Sequence, residues 1–199
     1  MWSNRDWVGT LFAPGSRPES FLRQYSAVFD TVEGNNCFYG LPRVESVRRW
    51  CEDAAPGFRF CFKFPRLISH ERRLRDVTAD TTEFMRRLEP LAAADRLGPA
   101  FLQLPPQFGP DAVPALAAYL ATLPADFACA VEVRHPAFFA KGEAERQLNR
   151  LLFERGKFTA ASTDRATLAL VCIAPGLLAF STVNVLARAF FALGDTKTP

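Results

Sequence analysis

Four short apolar runs each finish on polar side chains that an inert core strand would not carry. They lie at residues 28–35 (VFDTVEGN), 58–66 (FRFCFKFPR), 99–106 (PAFLQLPP) and 127–135 (FACAVEVRH). Successive side chains of a strand point to opposite faces. Parity sorts one apolar set: Val28 and Val32; Phe60, Phe62 and Phe64; Leu102 and Leu104; Val131 and Val133. The other set turns polar late in each run: Thr31, Glu33 and Asn35; Cys61 and Lys63; Gln103; Glu132 and Arg134. Helices covering one face, with a polar mouth at the carboxyl ends of parallel strands, produce that split, and ligands bind at that end of α/β sheets.

Between the runs the spacing predicts amphipathic helices. Val44, Val47, Trp50 and Cys51 form one stripe, and Phe84, Leu88 and Leu91 a second. Val113, Leu116, Ala117 and Leu120 form a third, and Leu148, Leu151 and Leu152 a fourth. Asp80 and Glu83 have the spacing of a capping box, and Asp111 before Pro114 is a helix start signal. Right-handed crossovers place all four polar ends on one side. The expected fold class is α/β, an incomplete TIM-type (β/α) barrel with about four βα units. An eight-stranded barrel takes ~250 residues. The βα pattern here stops near Gly156, and no strand precedes the helix around Phe21, so units are expected to be missing at both ends.

Past Gly156 the character changes. Residues 166–187 carry no charged side chain and are flanked by Arg165 and Arg188. A charge-free stretch longer than ~18 residues is a transmembrane-helix candidate. The expectation is therefore a domain over residues 1–156, followed by an apolar segment at 157–199 with one membrane helix.

Charge gives one class no support. The chain has 24 Lys+Arg against 21 Asp+Glu, too even for the electrostatic footprint of a nucleic-acid binder. Five cysteines, odd in number and without CxxC spacing, point to reduced, mostly buried thiols in a cytoplasmic protein. No P-loop, GxGxxG, HExxH or GxSxG motif is present, and no cluster has metal-ligand spacing. No cofactor is specified.

The stretches VFDTVEGNNCFYGLP, FRFCFKFPRLISHERRL, GPAFLQLPPQFGP and AVEVRHPAFF, in that order, closely resemble the YecE-like domain-of-unknown-function family. The resemblance covers residues 1–156 and implies a TIM-type barrel, but no reaction. The tail, residues 151–199, resembles an internal piece of the MurJ/MviN lipid II flippases, membrane proteins of peptidoglycan synthesis. Residues 151–156 (LLFERG) fit either family, which suggests a chimera joined there.

At the expected mouth, Glu33, Lys63, His70, Glu132 and Arg134 are the candidate catalytic residues, with Asn35, Tyr39 and Gln103 as substrate-binding residues. Two carboxylates with a Lys and an Arg suit acid–base work on a small polar or anionic substrate. His70 titrates near neutral pH. The competing structural reading makes Glu33–Lys63 and Glu132–Arg134 ion pairs without chemistry. Three function classes follow. The first is an enzyme of this kind, and the second a nucleic-acid or other ligand-binding module using the same mouth. The third is a flippase fragment, inactive alone, whose tail would bring membrane association.

Overall fold

A computed structural model describes residues 2–153. The chain divides into two compact units, Met1–Phe139 and Ala140–Pro199. The first begins with a 3-10 turn and helix α1 (Pro18–Ser26), with Pro18 in the first turn where its missing N–H costs nothing. Then come β1 (Thr31–Gly34), the one-turn α2 (Asn36–Tyr39), α3 (Val44–Asp53) and β2 (Arg59–Phe62). A π-turn (Leu67–Glu71) and α4 (Thr78–Ala93) follow, then β3 (Ala100–Gln103), α5 (Val113–Thr122) and β4 (Cys129–Glu132). In the second unit the described element is the amphipathic α6 (Glu143–Phe153).

The strands pair in parallel as β1–β2 and β3–β4, with Glu33 opposite Cys61 and Gln103 opposite Glu132. Single bridges, Phe60 with Leu97 and Lys63 with Phe101, join the two pairs. Between these bridges β2 advances from Phe60 to Lys63 while the facing chain advances from Leu97 to Phe101, one residue further. The extra residue is a bulge containing Pro99, which has no N–H to give a ladder. Gly98 allows the close approach: its N–H donates to Phe60 O at 2.8 Å, and a Cβ there would lie 2.6 Å from Cys61 Sγ.

That one-residue slip decides which face each side chain takes. In unbroken register Lys63 would face Ala100, and Leu102 and Leu104 would join the polar side. With the bulge, Phe60, Phe62, Phe64, Leu102 and Leu104 are all fully buried together. Phe60 and Phe62 stack at 6.2 Å, and the Trp50 indole of α3 lies over both. Phe64 packs on Phe84 of α4 at 4.8 Å. Each of these side chains contributes roughly 1.5–3 kcal/mol by leaving water.

Several expectations are corrected. An incomplete barrel followed by a membrane helix is not what the described residues form: they make two two-stranded parallel sheets linked by single bridges. The strands hold only four residues each; Pro65 lies just past β2, and Pro99 and Pro105 bracket β3. Among the described residues no helix is long and apolar enough to cross a membrane, and the segment 166–187 lies outside them. Val28 precedes β1 and is 62% exposed rather than part of the core. The Asp80/Glu83 capping box does not form. Helix α4 begins at Thr78, and Asp80 pairs instead with Arg72 at 3.7 Å, Glu83 with Arg86 and Arg87.

Gly98→Ala should cost about 1–3 kcal/mol of stability, the range for overpacking a filled site. Because the obstruction is Cys61 Sγ, Cys61→Ala in the same chain should recover most of that loss. Urea denaturation of the two single variants and the double variant measures it; a simple sum of the two effects would contradict the bulge packing.

Candidate functional site

The polar face collects its groups at the carboxyl ends of β2, β3 and β4. Gln103, the last residue of β3, is buried, and its Nε2 donates to Glu132 Oε1 and Oε2 at 2.8 and 2.7 Å. Arg134, two residues past Glu132 on the same face, donates from Nε to Glu132 Oε1 at 2.9 Å. Burial opposes ionisation of Glu132, but the hydrogen bonds from Gln103 and Arg134, with the charges of Arg134 and Lys63, outweigh it. The carboxyl is thereby held below its ordinary value. Both its oxygens are engaged, so Glu132 is a fixed counter-charge that aligns Gln103 and Arg134.

Lys63 follows β2 directly. Its backbone N–H donates to Gly34 O at 3.3 Å, and its Nζ sits 4.7 Å from the centre of the Phe38 ring. This is a cation–π contact of about 0.5–2 kcal/mol. The same ring meets His70 edge-on at 5.1 Å. Burial first, then the charges of Lys63, Arg66 and Arg134, hold the His70 imidazole below its ordinary value and favour its neutral form. Lys63 and Arg134 thus act on both His70 and Glu132, which places the four groups in one electrostatic network.

The backbone carrying His70 is unusual. Residues Leu67–Glu71 form a π-turn closed by Arg72 N–H on Leu67 O at 2.9 Å. Arg73, Leu74 and Asp76, just beyond it, have φ of 47°, 67° and 51°. Left-handed non-glycine residues cost of order 1–3 kcal/mol each, and both features gather at functional sites.

The site residues expected from sequence divide into two groups. Lys63, His70, Gln103, Glu132 and Arg134 come together. Glu33 shares their face but stands on β1 and is exposed, and its side chain makes no hydrogen bond or ion pair among the described residues. With strands ~4.8 Å apart, three spacings separate its backbone from that of Glu132 by on the order of 14 Å. The side-chain partners of Glu132 are Gln103 and Arg134, and Glu33 is not among them. The Glu33–Lys63 ion pair is absent too, whereas Glu132–Arg134 is formed. Asn35 is exposed ahead of α2, and Tyr39 is 82% exposed with its ring against Phe38. His135 caps the following turn, its Nδ1 accepting from Ala137 N–H at 3.2 Å.

Sequence reasoning missed Phe38, Arg66 and Ser69. Phe38 lies within the quoted NNCFYG block, and an apolar ring beside Tyr39 gave no chemical signal. A cleft of about 390 Å³ opens beyond it, bordered by Phe38, Tyr39, Arg66, Glu71 and Glu83. A larger one, about 540 Å³, opens beside Gly98 and Ala128 ahead of β3 and β4, away from these groups. Burial pushes the thiols of Cys37 and Cys129 up to about 12 and about 11, which removes them as nucleophiles. Among the described residues no group of three or more His, Cys, Asp or Glu side chains could hold a metal ion.

Fold and site together define a class of protein. The family profile described as "Protein of unknown function DUF72" matches residues 1–181, and the chain belongs to that family. Its sequence is 48% identical over 156 residues to the UPF0759 protein YecE of Escherichia coli K12, covering 78% of this chain and 54% of that one. The chain thus spans about half the length of the curated relatives it matches. A solved DUF72 family protein of Thermotoga maritima MSB8 superposes with TM-score 0.61 at 28% identity, over 76% of this chain and 59% of that chain. One from Enterococcus faecalis V583 gives 0.62 at 22% identity, over 77% and 55%, a likeness of fold alone. These DUF72 structures, rather than a barrel followed by a membrane helix, are what the fold resembles. A second, partial likeness is to the probable lipid II flippase MurJ of Vibrio cholerae, 34% identical over 64 residues, 32% of this chain and 12% of that one. The corresponding protein of Rickettsia prowazekii is 38% identical over 64 residues, 13% of its length.

Proposed function

We propose that this YecE-like DUF72 protein is an enzyme that carries out proton transfer on a small anionic substrate. What supports this is the placement of the groups: Lys63 Nζ lies 4.7 Å over the Phe38 ring, the same ring meets His70 at 5.1 Å, and Glu132 holds both Gln103 and Arg134. Lys63 and Arg134 attract the anion, and Glu132 keeps Arg134 and Gln103 in place. His70, kept neutral, exchanges the proton near neutral pH. Glu33 has no part in the chemistry, and Asn35 and Tyr39 lie at the rim where a substrate enters.

Inorganic phosphate serves as the probe. Its titration into the full chain should shift the imidazole signals of His70, and Lys63→Met should weaken that binding at least about tenfold, or about 1.4 kcal/mol. A His70 signal that ignores phosphate, or equal binding by the variant, would remove the assignment. A nucleic-acid-binding reading gains nothing from the nearly even charge of the chain.

The flippase likeness has a different bearing. The matches to YecE and to MurJ together exceed the length of this chain, so they overlap, as expected for two segments joined through sequence that suits both. We read the chain as a YecE-like portion continuous with a flippase-like tail, although the family match runs on to residue 181. A match to 12% of a polytopic transporter supplies no transport pathway. Resequencing the gene across codons 145–165 in several isolates should return the same continuous frame. A locus that instead reads on into YecE-like sequence would contradict the fusion.

A further inference from the structure

We propose that Ser69 is a positioning residue that fixes the tautomer of His70, holding Nδ1 protonated and leaving Nε2 as a bare proton acceptor. The proposal rests on the reading of His70 as the proton-exchanging group and deepens it.

Ser69 is 1% exposed, inside the π-turn. Its Oγ lies 3.2 Å from Pro65 O and 2.8 Å from His70 Nδ1. A hydroxyl has one proton, so Ser69 can donate in only one of these contacts. A serine within a helical turn ordinarily donates to the carbonyl four residues back, and Pro65 holds that position. The shorter contact then takes its proton from the ring: Nδ1–H donates to Oγ, and Oγ–H donates to Pro65 O. The opposite choice leaves the Ser69–Pro65 contact without a proton and satisfies one bond fewer.

Two further features keep the ring neutral and in place, without choosing its tautomer. Burial, and then the charges of Lys63, Arg66 and Arg134, disfavour a second proton on the ring. The Phe38 ring, edge-on at 5.1 Å, restricts the imidazole from another side. Free histidine in water prefers the Nε2–H form, so Ser69 reverses the intrinsic preference. A lone pair on Nε2 is what a general base requires. Tautomers set by the partner of the other ring nitrogen are the usual means of directing a histidine.

The test is a long-range 1H–15N correlation spectrum of the imidazoles in the full chain at about pH 8, where an ordinary imidazole is neutral. The chain has two histidines, His70 and His135, and His70→Gln assigns the signals. The expected wild-type pattern is Nδ1–H at His70. Ser69→Thr, which keeps the hydroxyl, should retain it, and Ser69→Ala should revert to Nε2–H. An Nε2–H pattern in the wild type overturns the proposal whatever the variants do, and an Nδ1–H pattern that persists in Ser69→Ala overturns the role of Ser69. The spectra need no ligand, so they fail independently of the phosphate titration.

Discussion

The arrangement depends on one irregularity, the extra residue between Leu97 and Phe101. Because Pro99 cannot donate and Gly98 has no Cβ to strike Cys61, the chain passes β2 one residue out of step. Leu102 and Leu104 then join Phe60, Phe62 and Phe64 under the helices, while Gln103 joins Lys63 on the other face. The pairing of Gln103 with Glu132 carries the choice across to β4. A core of stacked aromatics and a polar mouth are two consequences of the same slip. Substituting either side alone would leave a buried charge or an exposed row of apolar side chains.

Local charge and global charge tell different stories. The chain is almost balanced, with 24 cationic and 21 anionic side chains. The ends of three strands and the π-turn nonetheless gather Lys63, Arg66 and Arg134 within electrostatic reach of one imidazole. Among the described residues two carboxylates engage these cations: Glu71 pairs with Arg66 at 3.5 Å, and Glu132, hydrogen-bonded on both oxygens, pairs with Arg134 at 2.9 Å. Three cations against two carboxylates is the local excess on which the proposed anion binding rests.

Much of this was legible in residue order. Period-two alternation marked Phe60, Phe62, Phe64 and Leu102 as one face and Lys63, Gln103 and Glu132 as the other, because each strand with a helix-covered face must alternate. The helices α3, α4 and α5 were equally visible in their apolar spacing. Distances between strands were not legible, since parity fixes a face and says nothing of position across it. Glu33 was therefore joined to Glu132 on paper, though three strand spacings lie between their backbones. Ser69 and Phe38 were hidden for another reason: their roles come from a π-turn and a ring placed by α2, neither of which has a periodic signal. The membrane helix was inferred from an uncharged segment beyond the described residues, and the four runs are longer than the four-residue strands they contain, because apolar composition marks a run but not where its ladder pairing stops.

The central claim is that Lys63, Arg134 and His70 converge through the bulged register. The most direct measurement is the titration midpoint of His70, followed by its ring proton signals from acid to alkaline pH in the wild type, Lys63→Met and Arg134→Met. If the cations hold the imidazole below its ordinary value, removing either one raises the midpoint, and His70 gains its proton at higher pH than before. A midpoint that stays where it was in both variants would mean that these side chains do not share a site.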